Sequence, residues 1–281
     1  MKIWWIYIKK PIKDYFFYKE LTRLKNFGET LSDPEKEDIV NYLKTHKPCM
    51  IPYTFTQKYL EKNIDIQYDI KKEMWFAVHL GKPLYFPGNC KKEDVLNTYR
   101  NLLMEQDPES PHCYESADFA VEQGDVVADA GAAEGIFALN VLDKADKIYC
   151  FETDEKWIKA LNATFAPYKD KVEIINKCIS ATNSENSLTL DAFFKNRKID
   201  FIKADIEGAE LNLLKGSKNI LNNPAPLKVV LCTYHNPNDA EELEHELKNC
   251  HFKTSFSKGY ILAVHNPVPP YFRRGVIRAK R

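Results

Sequence analysis

The sequence predicts an α/β fold: a mostly parallel sheet with helices on both faces, preceded by a mainly helical extension. Three observations predict it. From residue 117 on, apolar runs at 125–130, 147–151, 172–176, 199–204 and 227–233 are interleaved with helical stretches at 135–142, 155–166 and 208–221, and one at 239–249 follows the last. Strands that alternate with helices make a parallel sheet covered on both sides. The first run ends in Asp129 and enters a turn of small residues, Gly131-Ala132-Ala133-Glu134-Gly135. Strand, tight turn and helix, in that order, open a nucleotide-type cofactor site in α/β proteins. Polar and acidic residues then recur at the ends of later runs: Glu152, Asp205 with Glu207, and His235.

Ahead of this region the pattern differs. Phe16, Phe17, Leu21 and Leu24 lie at near-helical spacing among lysines and an arginine. Ser32-Asp33-Pro34-Glu35 reads as a helix start, with Pro near the first turn, for a helix carrying Ile39, Val40, Tyr42 and Leu43. The apolar runs 75–80 and 83–86 around Gly81-Lys82 predict a hairpin. Residues 92–105 predict a helix with Val95, Tyr99, Leu102 and Leu103 on one side. The Pro-containing stretch 106–112 breaks the pattern, so a boundary is drawn there: 1–115 as an extension or cap, 116–281 as the cofactor domain. At the far end, 253–264 predicts a hairpin around Lys258-Gly259 that closes the sheet.

Composition narrows the partners. With 281 residues and 44% hydrophobic content there is material for one elaborate α/β unit or two modest ones. Lys+Arg and Asp+Glu are 40 each, which provides no global pull toward nucleic acid. The seven cysteines are odd in number and include no Cys-x-x-Cys pair, so neither a zinc site nor a disulfide framework is expected, and a reducing cytoplasm is the simplest setting. No apolar stretch is long enough for a membrane span. Lys9, Lys10 and Lys13 beside Trp4 and Trp5 would allow peripheral contact with an anionic surface. Arg273, Arg274, Arg278, Lys280 and Arg281 read as a solvated basic tail that could meet phosphates or an anionic glycan.

The turn selects among cofactors. A dinucleotide site usually carries Gly-x-Gly-x-x-Gly, whose middle glycine admits a pyrophosphate. Here Glu134 would set a negative charge against any phosphate. S-adenosyl-L-methionine has no phosphate and carries a sulfonium and an ammonium, which Asp129 and Glu134 would suit. Glu152, about 20 residues past the turn, is placed to accept hydrogen bonds from ribose hydroxyls.

The segment from about 125 to 264 resembles the FkbM family of S-adenosylmethionine-dependent methyltransferases. The most specific part is Ile199-Asp200-Phe201-Ile202-Lys203-Ala204-Asp205-Ile206-Glu207-Gly208-Ala209-Glu210, and Thr189-Leu190-Asp191-Ala192-Phe193-Phe194 resembles the family's Leu-Asp element. Ala133 stands where a second glycine is common. The resemblance implies a Rossmann-like class I methyltransferase fold, with a seven-stranded sheet whose last strand is antiparallel. It also implies O-methylation of a sugar, nucleotide-sugar, polyketide or surface-glycan hydroxyl, in polysaccharide biosynthesis or a similar setting.

Residue roles follow as expectations. Asp129, Ala130, Gly131, Ala132, Glu134, Phe137 and Asp205 would hold the cofactor, with Asp129 and the backbone of 131–134 at its methionine part. Glu152 and Thr153 would meet the ribose side, and Asp154, Cys178 and Ile179 would border the adenine. Asp205, Glu207 and His235 would face the acceptor, with Asp205 or His235 as the base. No metal is expected, although an Asp205–Glu207 pair would suit a divalent cation. The acceptor is expected to be a small molecule or glycan and not nucleic acid, and the extension could serve a homo-oligomer. An N-methyltransferase for an amine or amide, or a non-catalytic partner-binding subunit, are the rival readings.

Overall fold

Strands that read as continuous apolar runs must be covered on both faces, and here they are. The computed structural model describes residues 18, 19, 22, 33–264 and 267–281. Trp4, Trp5, Lys9, Lys10, Lys13, Phe16, Phe17, Leu21, Leu24 and Ser32 lie outside the described residues. Five strands run parallel: β4 (Val126–Ala130), β5 (Lys147–Phe151), β6 (Val172–Ile175), β9 (Phe201–Ala204) and β10 (Lys228–Cys232). Two more, β11 (Lys253–Phe256) and β14 (Val276–Lys280), complete a seven-stranded sheet of order β11-β14-β10-β9-β4-β5-β6. β14 is antiparallel to both of its neighbours. The chain crosses from β4 outward through β5 to β6, then returns to β9 on the other side of β4. The carboxyl ends of β4 and β9 therefore flank the switch point, where ligands bind in such sheets.

Alternation along the strands sorts two cores. Val127, Ile148, Cys150, Phe201, Val230 and Val276 face one side, where α4 (Ile136–Val141) and α5 (Glu155–Phe165) pack. Ala128, Tyr149, Ile202, Val229, Leu231 and Ile277 face the other, under Leu213, Leu214, Leu243 and Leu247. The last two lie on α9 (Asp239–Asn249). The expected helix over 208–221 is broken into α7 (Glu210–Lys215) and α8 (Lys218–Asn222). The break falls at Gly216, where a Cβ would lie 2.1 Å from the Ser180 carbonyl oxygen; the chains pass too closely for anything larger.

The tail departs from expectation. β11 does enter the sheet, but its partner is β14, not the next strand. β12 (Ile261–Leu262) pairs instead with β13 (Phe272–Arg273) in a separate ribbon. Only a strand apolar on both faces can sit between two neighbours, and Val276, Ile277 and Ala279 are fully buried. β11 exposes alternate residues and suits the edge. The basic cluster is correspondingly no solvated tail. Arg278 donates to the carbonyls of Cys113, Tyr114 and Glu115, and Arg281 to those of Ala225, Leu221, Cys250 and Ile220.

The extension contains α1 (Pro34–Leu43), capped by Asp33, and α3 (Lys92–Glu105), as the spacing predicts. It is less helical than expected. β1 (Ile66–Asp69), β2 (Met74–His79) and β3 (Lys82–Tyr85) form an antiparallel sheet. The β2–β3 turn places Leu80 at φ 48° and Gly81 at φ 76°, the doubly left-handed form that matches hairpin twist. Leu84, Phe86, Val95, Tyr99, Leu102, Tyr114 and Phe119 join the same buried cluster as β4 and α4. Among the described residues no helix is long and apolar enough to cross a membrane.

Phe201 ties these layers together, with ring centroids 5.4 Å from Phe119 and 5.8 Å from Phe137. Replacing it with Ala removes a fully buried side chain that packs between α4 and the segment just ahead of β4. Urea unfolding should show a loss of about 3–5 kcal/mol; a loss under 1 kcal/mol would mean that the two are not mutually supporting.

Candidate active site

β4 ends in the small-residue turn, and the turn is held from three directions. Gly131 has φ +72°, and a Cβ there would lie 1.9 Å from the Asp205 carbonyl oxygen. Only glycine fits. Gly131 N–H and Ala132 N–H both donate to the Phe151 carbonyl, at 3.0 and 3.1 Å. Ala133, at φ 44°, donates to Glu152 Oε2 at 2.9 Å. Gly135 begins α4 at φ 85°, tight against Leu161 and Phe165.

Beneath the turn lies a buried ion pair. Asp129 and Lys203 stand opposite each other in β4 and β9. The Lys203 ammonium sits 2.9 Å from Asp129 Oδ1 and donates to the Gly131 carbonyl at 2.7 Å. Burial pushes the Asp129 carboxyl up, opposed by Lys203. Burial also works against the Lys203 charge, yet Asp129 and Asp205 outweigh it and hold the ammonium above its ordinary range. Asp129 is 0% exposed. The expectation that it touches cofactor is therefore corrected: it lies under the floor of the site and not on its wall. Ala130 is likewise fully buried within the sheet, and Ile179 is packed into the core rather than open to an adenine.

Above the turn opens a cavity of about 600 Å³. Gly131, Ala132, Glu134 and Phe137 form one side, with Asp205, Glu207 and His235 opposite. Glu105, His112 and Tyr114 enter from the segment ahead of β4. Glu152, Thr153, Asp154 and Cys178 are outside this cavity. Glu152 holds its own strand end, accepting from Thr153 N–H and Asp154 N–H at 2.6 and 2.8 Å. Asp154 caps α5 through Lys156 N–H. Thr153 is exposed, and the exposed Cys178 thiol reaches the Asn186 carbonyl.

Asp205 is the most heavily partnered group in the cavity. Its Oδ2 accepts from Tyr114 Oη–H at 2.9 Å and lies 3.4 Å from His112 Nε2. Its Oδ1 lies 3.3 Å from His235 Nε2 and 3.4 Å from the Tyr234 hydroxyl. Burial alone would raise this carboxyl, but the two imidazoles hold it well below the usual carboxylate range. His235 reaches on through Nδ1 to Glu210 Oε1 at 3.2 Å, and Glu210 is 1% exposed. Burial disfavours the His235 charge, yet Asp205 and Glu210 push it up to about 10. His235 is thus an imidazolium at neutral pH and has no lone pair to accept a proton. That corrects its expected role as a base. His112 is also raised: burial opposes its charge, and Glu105 with Asp205 prevails.

Glu207 is 94% exposed at φ 55°, with its Oε2 3.8 Å from His235 Nε2. It does not converge with Asp205 as a ligand pair. The residue groups whose ligand atoms gather within 4.8 Å are Asp205–Glu210–His235 and His112–Asp205–Cys232, among the described residues. In the first, the imidazolium already occupies the space between the two carboxylates. The chemistry of the cavity suits a cationic ligand better, because Glu105 and Glu134 line it without a hydrogen bond to another described residue.

Glu105, His112, Tyr114, Lys203, Glu210 and Tyr234 were not among the expected site residues. Lys203 carried a signal, as a lone lysine in the apolar strand Phe201-Ile202-Lys203-Ala204. The residues from 105–114 carried none, since nothing local marks a group that acts across 91 positions, as Tyr114 does on Asp205.

The strand order, with one antiparallel strand inserted next to the edge, is that of the class I methyltransferase fold. Residues 129–254 match the methyltransferase FkbM domain. The resemblance seen in 199–210 is thereby borne out. Among solved structures it is similar to the methyltransferase FkbM of Methylobacillus flagellatus, at 17% identity and TM-score 0.48 over 66% of this chain and 52% of that one. It is also similar to an rRNA methylase of Streptococcus thermophilus, at 14% identity and TM-score 0.38 over 57% of this chain and 89% of that one. The chain thus spans about half the length of the Methylobacillus protein. No curated protein matches it.

Two outcomes follow. Lys203→Met leaves Asp129 buried and unpaired, so unfolding should show a loss of about 3–5 kcal/mol. Adding Asp129→Leu should recover part of that loss; a K203M variant as stable as wild type would mean that the pair is not needed. The raised His235 contributes stability that is complete below its unfolded value of 6.5 and is lost as pH rises through about 10. Wild type should therefore lose stability relative to His235→Gln between pH 7 and about 10; parallel pH–stability curves would contradict this.

Proposed function

We propose that this chain is an S-adenosylmethionine-dependent O-methyltransferase acting on a hydroxyl of a sugar, nucleotide-sugar or other small-molecule or glycan acceptor. One observation carries the reading most: a carboxylate anchored by two imidazoles and two tyrosine hydroxyls stands at the switch point, one residue beyond β9, beside the glycine turn. When bound, the donor supplies an electrophilic methyl on a sulfonium.

The turn over 131–134 would cradle the methionine part of the donor, with Phe137 against it. Glu152 would meet the ribose, using the lone pairs not taken by backbone, and Thr153, Asp154 and Cys178 would border the adenine side. Asp205 would accept a hydrogen bond from the acceptor hydroxyl and so aim an oxygen lone pair along the line of displacement. Its depressed proton affinity is no obstacle. A hydroxyl that has just gained a methyl is a far stronger acid than any carboxylic acid, so Asp205 can take the proton as the C–O bond forms. His235, held protonated by Glu210, keeps Asp205 ionised and oriented until that moment. Tyr114, Phe137 and Tyr234 would provide flat walls for an acceptor ring. No divalent cation is required, because the imidazolium fills the place between Asp205 and Glu210.

Asp205→Asn should lower turnover by roughly 10²- to 10⁴-fold while leaving S-adenosylmethionine affinity nearly unchanged. The readout is S-adenosylhomocysteine release across a panel of hydroxylated acceptors. Full turnover in that variant would sink the assignment. Activity should also survive EDTA; loss on chelation with recovery on Mg²⁺ would overturn the metal-free mechanism.

A further inference from the structure

The charged groups of this cavity divide sharply between those with partners and those without. Every cationic side chain lining it is engaged. Lys203 binds Asp129 and the Gly131 carbonyl. Arg273 donates to the carbonyls of Pro270, Tyr234, His235 and Val268. His112 and His235 both reach Asp205. Glu105 and Glu134 are the converse case. His112, Asp205 and Lys203 act on Glu105 through space alone, with no hydrogen bond. Glu134 bonds only to its own backbone and feels Glu105, Lys203 and Asp129 through space. Burial raises both carboxyls, Glu134 to about 8.

Two further features mark the same corner. Glu105 is the last residue of α3, a helix of 14 residues, and the negative pole of a helix attracts cations and disfavours an anion left alone there. His112 lines the cavity, is 2% exposed, and has a buried Nδ1 with no partner. A buried donor or acceptor without a partner is uncommon. Two carboxyls that line the cavity without a hydrogen-bond partner, one of them at the negative pole of a helix, are the complement of a ligand's ammonium group.

We propose that Glu105, reaching in from ahead of the FkbM-matched segment, joins Glu134 in seating the α-ammonium of the donor's methionine part. The inference rests on the donor reading above and adds Glu105 as a residue that determines specificity for the amino-acid head. A cation placed between the two carboxyls lowers their proton affinity. At pH 7 Glu134 holds its proton in the free enzyme and gives it up on binding. Affinity should therefore climb as pH rises toward about 8, where Glu134 titrates unaided. It should fall at still higher pH, once the ligand's own α-ammonium loses its charge.

The test is titration calorimetry of the full chain with S-adenosylhomocysteine and with its analogue lacking the α-amino group. Wild type should prefer the amino compound by roughly ten- to a hundredfold, the usual worth of a charge-assisted hydrogen bond. Glu105→Gln should lose most of that preference while binding the desamino analogue about as well as wild type, and Glu105→Asp should recover part of it. In buffers of different ionisation heat, wild type should release protons at pH 7 and Glu134→Gln fewer. Undiminished preference in Glu105→Gln, or equal losses for both ligands, would overturn the proposal. A wild-type chain that binds neither ligand would overturn the donor reading itself, and this inference with it.

Discussion

The site depends on one ammonium group buried in the middle of the sheet. Lys203 faces Asp129 across β4 and β9 and holds the Gly131 carbonyl from below. Neither charge could be buried alone, because an isolated ion in the interior costs several kcal/mol. Together they lock two adjacent parallel strands at their carboxyl ends, where the sheet reverses direction. The glycine turn is then braced twice more: by Phe151 and Glu152 on the β5 side, and by Asp205 on the β9 side, whose carbonyl leaves room for no Cβ at residue 131. Positive φ at Ala133 and Glu207, strained for any side chain, is found on the two loops that this bracing supports.

From that floor the electrostatics follow outward. His112 and His235 hold the Asp205 carboxyl low, and Asp205 with Glu210 holds His235 in its charged form. The chain is mutually dependent: Glu210, buried at the start of α7, holds His235; His235 and His112 hold Asp205; Tyr114 orients it. Two members of this set, His112 and Tyr114, come from ahead of β4, outside residues 129–254. The segment before the sheet is therefore part of the cavity wall and packs into the same core.

Much of this was legible in sequence because it is local. The turn, the strand–helix alternation, the Asp33 cap, α3 and α9 follow from period, capping and small-residue spacing, which neighbours in sequence determine. Asp205 and His235 were visible as strand-end polar residues. The misreadings have one cause: which partner a side chain meets is a long-range fact. Asp129 looks like any strand-end acid until Lys203 is found opposite it. His235 looks like a base until Glu210, which resembles an ordinary helix-start acid and does accept the Ile206 N–H, is found at its other nitrogen. β14 was hidden because Arg278 within it and Arg281 just past it read as solvent-exposed, whereas both guanidinium groups donate to backbone carbonyls.

The central claim is that the braced turn over the Lys203–Asp129 pair is the donor site. The most direct measurement is equilibrium binding of S-adenosylhomocysteine to wild type and to Gly131→Val, with circular dichroism to compare their folds. The account predicts saturable binding by wild type and its loss in a folded variant, since any side chain at residue 131 must displace the Asp205 carbonyl. Equal binding by both proteins, or none by wild type, would contradict it.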